Sequence, residues 1–233
     1  MAEPALERLL STYALPADLA APLQALLNLL ARPDAPTAVH DPRRALDVHL
    51  ADSLAGLAVP ELRAAQRIAD IGSGAGLPGL PLALALRDAR VLLVESQRRK
   101  CTFLQRAIEA LGLSNAEVAC ARVEELPHPA CDAVTARALA SLPVLCEYAA
   151  PLLVEGGVLV AWKGAVDPAE DADGLAAAAA LGLQREEVRA VEPYAGSERR
   201  TLHVLRKIAP TPPGYPRRPG MAAKRPLRAA SSR

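Results

Sequence analysis

The sequence predicts an α/β fold, a mostly parallel sheet with helices on both faces, and three observations carry that prediction. Short apolar runs alternate with helix-length stretches from residue 67 to residue 207. A dense glycine loop, Asp70-Ile71-Gly72-Ser73-Gly74-Ala75-Gly76-Leu77-Pro78-Gly79, follows the first apolar run and opens a helix. Hydrophobic residues make up 51% of the 233 positions but aromatic ones only 3%, so the core is large and aliphatic. That excludes global disorder and argues against folds that stack bases on exposed aromatic rings.

Leucines at helical spacing (Leu6, Leu9, Leu10, then Leu19, Leu23, Leu26, Leu27, Leu30) predict helix over 4–31, broken near Pro16. A Pro-rich connection over 32–37 follows. Asp41-Pro42 reads as an N-cap and first helical residue for a helix to about residue 57. Strands are predicted at 67–71, 90–94, 117–120, 130–135 and 157–162, with helices at 80–86, 97–111, 141–153 and within 167–181. Residues 187–191 and 200–207 form a closing β-hairpin. Beyond residue 209, Pro210, Pro212, Pro213, Pro216, Pro219 and Pro226 argue against regular structure and predict an extended arm. The expected organisation is a helical extension over 1–60, a central domain over 61–208 and a basic Pro-rich arm over 209–233.

Charge is divided along the chain. Eight of the 27 basic residues, and none of the 26 acidic ones, lie within 206–233, so the rest is net negative by seven behind an overall +1. The arm (Arg217, Arg218, Lys224, Arg225, Arg228 and Arg233 among its cations) invites an anionic partner, nucleic acid or membrane surface. No apolar run reaches the roughly 18 residues of a membrane span. The first ten residues carry Glu3, Glu7 and Arg8 and lack a secretory signal pattern. Cys101, Cys120, Cys131 and Cys146 include no C-x-x-C pair, so neither a metal site nor a disulfide framework is expected. They read as reduced core thiols of a cytoplasmic protein.

In the glycine loop, Gly72, Gly74 and Gly76 allow a tight turn and close approach of backbone to a ligand. Glu95 ends the second strand, 23 residues after Gly72, where its carboxylate can accept from both ribose hydroxyls of an adenosine ligand. Two cofactors compete. Gly74-x-Gly76-x-x-Gly79 matches the dinucleotide fingerprint. Asp70 two residues before Gly72 suits S-adenosylmethionine better, since that ligand offers an ammonium group where a dinucleotide offers a pyrophosphate that an acid repels.

Several blocks now converge: His49-Leu-Ala-Asp52-Ser53-Leu54, the glycine loop through Leu82, Arg122-Val123-Glu124-Glu125, Arg137-Ala-Leu-Ala-Ser141-Leu142, and Tyr215-Pro-Arg-Arg-Pro-Gly220-Met-Ala-Ala-Lys224-Arg225-Pro-Leu227. In this order, from about residue 37 to 227, they resemble the RsmG (GidB) family of bacterial small-subunit ribosomal RNA methyltransferases. Residues 31–40 depart from the family's pattern and keep only Thr37 of its Asn-Leu-Thr segment. The resemblance implies a class I S-adenosylmethionine-dependent methyltransferase fold, Rossmann-like with seven strands. It implies methyl transfer to N7 of a guanine, guanine 527, in the 530 loop of 16S rRNA, leaving S-adenosylhomocysteine. It implies cofactor contacts at Gly72, Leu77, Val123, Glu124 and Arg137; Asp70, Gly74, Gly76 and Glu95 join them from the loop's physical reading. The implied partner is 16S rRNA within the 30S subunit or a late assembly intermediate, met by a cytoplasmic monomer.

Guanine N7 carries a lone pair and no proton, so in-line attack needs positioning and charge stabilisation, with no general base and no covalent intermediate. Arg137 after the fourth strand, with His49 and Asp52 on one helix face, are the candidate catalytic groups. Arg199, Arg200, Arg217, Arg218, Lys224 and Arg225 are the candidate RNA contacts. Removing the chain after Ala209 is expected to leave cofactor binding intact and to weaken RNA binding. The rivals are a methyltransferase for another RNA or a small molecule, an NAD-dependent oxidoreductase, and an RNA-binding protein that kept the fold without the activity.

Overall fold

The computed structural model describes residues 3–127 and 129–229; Arg233 lies outside them. Aliphatic runs with polar ends form strands β1 (Arg67–Ile71), β2 (Arg90–Val94), β3 (Ala116–Ala119), β4 (Cys131–Arg137), β5 (Leu153–Lys163), β6 (Leu183–Val191) and β7 (Arg200–Lys207). They pair in the order β3-β2-β1-β4-β5-β7-β6, parallel from β3 to β5 and antiparallel at β7 and β6. The order reverses between β1 and β4, which opens a crevice at the carboxyl ends of the strands.

Alternation along each strand feeds two cores. Ile68, Val91, Leu93, Ala133, Val158 and Val204 face one side, packed with α2 (Ala20–Leu30), α6 (Gly79–Ala85) and α7 (Arg98–Leu111). Ala69, Ile71, Val134, Leu159 and Leu205 face the other, under α8 (Leu142–Ala149) and α9 (Pro168–Ala180). The leucines of α1 (Glu3–Thr12) and α2 join the first cluster, so the N-terminal extension shares its core with the sheet. No helix among the described residues is long and apolar enough to cross a membrane.

Several elements differ from expectation. β5 begins at Leu153 because the chain turns through Gly156 at φ +86° and stays in the sheet. β6 begins at Leu183; it is an edge strand whose partly buried positions carry Arg185, Glu187 and Arg189 while Val188 is exposed, which hid its alternation. The predicted helix over 41–57 is not uniform. α3 (Pro42–Ala45), capped by Asp41, runs into a π turn (Leu46–Ala51), α4 (Asp52–Leu54) and a 3-10 turn (Ala55–Ala58), and α5 (Pro60–Ala64) follows.

The arm is not an extended strand. Tyr215 and Leu227 pack on the second core, and Gly220, at φ +81°, starts α10 (Met221–Lys224), whose Ala222 is buried. The cysteine expectation also fails in part. Cys101 in the first turn of α7 and Cys120 just past β3 form a disulfide, with Cα atoms 5.8 Å apart. The β2–α7–β3 crossover places the two side by side despite a separation of 19 residues. Cys131 and Cys146 are buried thiols, and burial pushes them up to about 11 and about 12.

Candidate functional site

A cleft of about 380 Å³ lies at the carboxyl edge of the sheet, beside the β1–β4 reversal. Gly72 brings the glycine loop to its lining. Gly72 N and Ser73 N both donate to Val94 O, at 2.8 and 3.0 Å, and lock the loop to the end of β2. Gly72 sits at φ +70°, and a Cβ there would meet Leu139 Cδ1 at 2.5 Å. Leu139, partly exposed in the loop after β4, thus lies directly over Gly72 at the cleft.

Glu95 lines the cleft and is nearly buried. Its Oε2 accepts from Gly74 N at 3.1 Å and its Oε1 from Gln97 N at 2.8 Å. Two amides fix the carboxylate and leave lone pairs for further donors. On the opposite wall the 3-10 turn Val123–Glu125 presents apolar Val123 beside Glu124, with Tyr148 of α8 behind them. Burial, with the neighbouring Glu124 charge, pushes the Tyr148 phenol up to about 12. An acid at one end and an apolar wall with polar edges at the other fit the ribose and adenine of an adenosine ligand. Lys100 also lines the cleft, as do Ser96 and Ala138, which were not foreseen.

Asp70 does not reach the cleft. It is fully buried, its Oδ2 accepting from Gly79 N at 3.1 Å and its Oδ1 from Thr135 Oγ1 at 2.9 Å. Burial lifts its carboxyl to about 6, against the pull of those hydrogen bonds. Asp70 therefore holds the loop from beneath. Gly76 and Leu77 also face inward. A Cβ on Gly76 would strike Leu80, and Leu77 is buried in the first core.

The sheet topology, the loop and the cleft can be set beside known proteins. The family model described as "rRNA small subunit methyltransferase G" matches residues 21–200. The chain belongs to this family. A relative named ribosomal RNA small subunit methyltransferase G from Rubrobacter xylanophilus is 48% identical over 196 residues, covering 81% of this chain and 75% of its own. One of the same name from Chloroflexus aggregans is 43% identical over 198 residues, covering 82% of each. A solved structure described as "a predicted O-methyltransferase" from Agrobacterium tumefaciens has a TM-score of 0.52 at 27% identity, covering 68% of this chain and 81% of that one.

In this member of the methyltransferase G family, the candidate catalytic trio is divided. Arg137 leaves the end of β4 for the helical segment, where its Nη1 donates to Asp52 Oδ2 at 2.7 Å and to Val48 O at 3.0 Å. It pairs with a buried carboxylate and is not among the residues that line the cleft. Arg200 Nε reaches the other oxygen of Asp52 at 3.5 Å, so one acid joins β4, β7 and α4. Trp162 Nε1 donates to Asp52 O at 2.7 Å and ties the segment to β5. His49 does not bond Asp52. The π turn adds a residue to the helical repeat, and His49 Nε2 instead lies 2.9 Å from Thr37 Oγ1 and 3.3 Å from Val39 O. Burial and the Arg137 charge lower its pKa, so it is neutral near pH 7.

The basic residues from 206 onward are also divided. Arg206 pairs with Glu186 and Glu61, and Lys207 is buried with Nζ donating to Leu181 O. Arg217, expected on RNA, is bound to Glu147. Arg218, Lys224, Arg225 and Arg228 are exposed, as is Arg199 across the sheet edge.

Proposed function

We propose that this chain transfers a methyl group from S-adenosylmethionine to N7 of guanine 527 in the 530 loop of 16S rRNA. The observation that carries the reading is the Glu95 carboxylate, oriented by Gly74 N and Gln97 N at the β1–β4 crevice of a chain in the methyltransferase G family. Glu95 would hold the ribose hydroxyls, Val123 and Glu124 the adenine, and the Gly72–Gly74 backbone the rest of the cofactor. When bound, S-adenosylmethionine supplies an electrophilic methyl sulfonium.

The chain's own work is then orientation. Leu139 covers the loop at the cleft mouth and keeps water from it. Neutral His49 and the Arg137–Asp52–Arg200 chain fix the helical segment beside the mouth, acting as positioning groups. No side chain has to take a proton from the attacking nitrogen. Arg199, Arg218, Lys224 and Arg225 are placed to follow phosphates of a looped strand with a splayed base. The division into an extension (1–60), a methyltransferase domain (61–208) and an arm (209–233) fits this use, as does a cytoplasmic monomer acting on the 30S subunit or a late precursor.

Isothermal titration with S-adenosylmethionine and with NAD separates this reading from an oxidoreductase. Binding of the first alone is expected; binding of NAD alone defeats the proposal.

A further inference from the structure

The arm reaches the wall of the cleft through two polar clasps. Arg217 Nε lies 2.9 and 3.1 Å from the two carboxylate oxygens of Glu147, its Nη2 2.6 Å from Oε2, and its backbone N donates to Oε1 at 3.0 Å. Glu147 is 1% exposed, so its charge is tolerated only because this guanidinium meets it. Three residues on, Gly220 N donates to Glu124 Oε1 at 2.8 Å. Glu124 lies beside Tyr148, the neighbour of Glu147 on α8, and Glu124 and Tyr148 both line the cleft. Apolar contact seals the join, since Ala222, Val123, Tyr148 and the partly buried Tyr215 share one cluster.

We propose that the C-terminal arm is a positioning element of the cofactor cleft, with Arg217 as its latch. Cofactor binding and engagement of the arm's cations by RNA are therefore coupled. The inference rests on the reading of this cleft as the S-adenosylmethionine site. Without the latch, Gly220 withdraws, Glu124 loses an amide donor, and the wall formed by Val123, Glu124 and Tyr148 loses its set position. The exposed cations stand on the same clamped segment: Arg218 follows the latch and Lys224 ends α10. A polyanion that draws on them acts on the segment that closes the wall, and binding linkage is reciprocal. Removal of the arm is then expected to weaken the cofactor as well as RNA, against the expectation from sequence.

The test is titration of S-adenosylmethionine into the full-length chain and its Arg217→Ala and Arg217→Lys variants, with folding checked by circular dichroism. Arg217→Ala is expected to weaken binding about tenfold, a coupling of ordinary size. Arg217→Lys should recover part of the loss, because a lysine keeps the charge but not the fork. A folded Arg217→Ala variant with wild-type affinity overturns the latch. A wild-type chain that binds no cofactor overturns the reading of the cleft, and the latch with it. Should Arg217→Ala fail to fold, amide exchange in the wild-type chain decides. Saturating S-adenosylhomocysteine is expected to slow exchange over 215–227 about tenfold, and an unchanged rate overturns the proposal.

Discussion

The glycine loop lines the cleft at Gly72 and the C-terminal arm backs its wall at Glu124, and the two are held by opposite means. The loop is held from within its own βαβ unit: Val94 O takes Gly72 N and Ser73 N, Glu95 takes Gly74 N, and Asp70 takes Gly79 N. The arm is held by acids far away in sequence, Glu147 for Arg217 at a separation of 70 and Glu124 for Gly220 at 96. The loop's geometry is a property of local residue types. The arm's geometry depends on polar contacts centred on one side chain, Arg217, so one substitution can release the support behind the cleft wall.

The largest expected effect lies in the arm. Arg217→Ala leaves the Glu147 carboxylate buried without its cationic partner, with only the residue-217 backbone amide as donor, and should lower the unfolding free energy by about 3 kcal/mol in denaturant titration. Adding Glu147→Leu should return most of that loss. A loss under about 0.5 kcal/mol would mean the arm is not held as described.

The loop's counterpart is a pH effect. Asp70 is lifted from 3.8 to about 6, so between those values the folded chain keeps a proton that the unfolded chain has released. Stability therefore falls as pH rises through that window, by up to about 3 kcal/mol at roughly 1.4 kcal/mol per unit. Asp70→Asn cannot titrate, and its unfolding free energy should lack this slope between pH 4 and 6; an identical slope in both chains would remove Asp70 from the account.

Gly72→Ala comes next. It forces an alanine to φ +70° and displaces Leu139, for about 1–2 kcal/mol of stability and a weaker cofactor in the same titration. The smallest change in stability, within about 0.5 kcal/mol, is expected for Arg218→Ala with Lys224→Ala, both exposed. That pair should instead flatten the salt dependence of RNA binding, by about 1.4 in log–log slope for two phosphate contacts on single-stranded RNA.

The same contrast explains what the sequence made legible. Strand number, the parallel order and the glycine loop follow from periodicity and local turn chemistry, and they match the structure. Glu95 was placed by its distance from the loop and Val123 by the family resemblance, and both line the cleft. Asp70 was assigned a ligand because its proximity was visible while its burial was not. Arg137 and Arg217 read as free cations because their acids, Asp52 and Glu147, lie 85 and 70 residues away. The Cys101–Cys120 bond depends on the crossover between β2 and β3, which no cysteine spacing reports. The π turn moved His49 off the face it would share with Asp52 in a regular helix, and no residue in Leu46–Ala51 marks it.

Methyl transfer to a defined base tests the central claim most directly. Labelled S-adenosylmethionine, the full-length chain and 30S subunits lacking the modification should give label on one nucleotide. Mass spectrometry of nuclease fragments should place it at N7 of guanine 527 in the 530 loop. Label on another base, or none from a chain that binds the cofactor, would contradict the account.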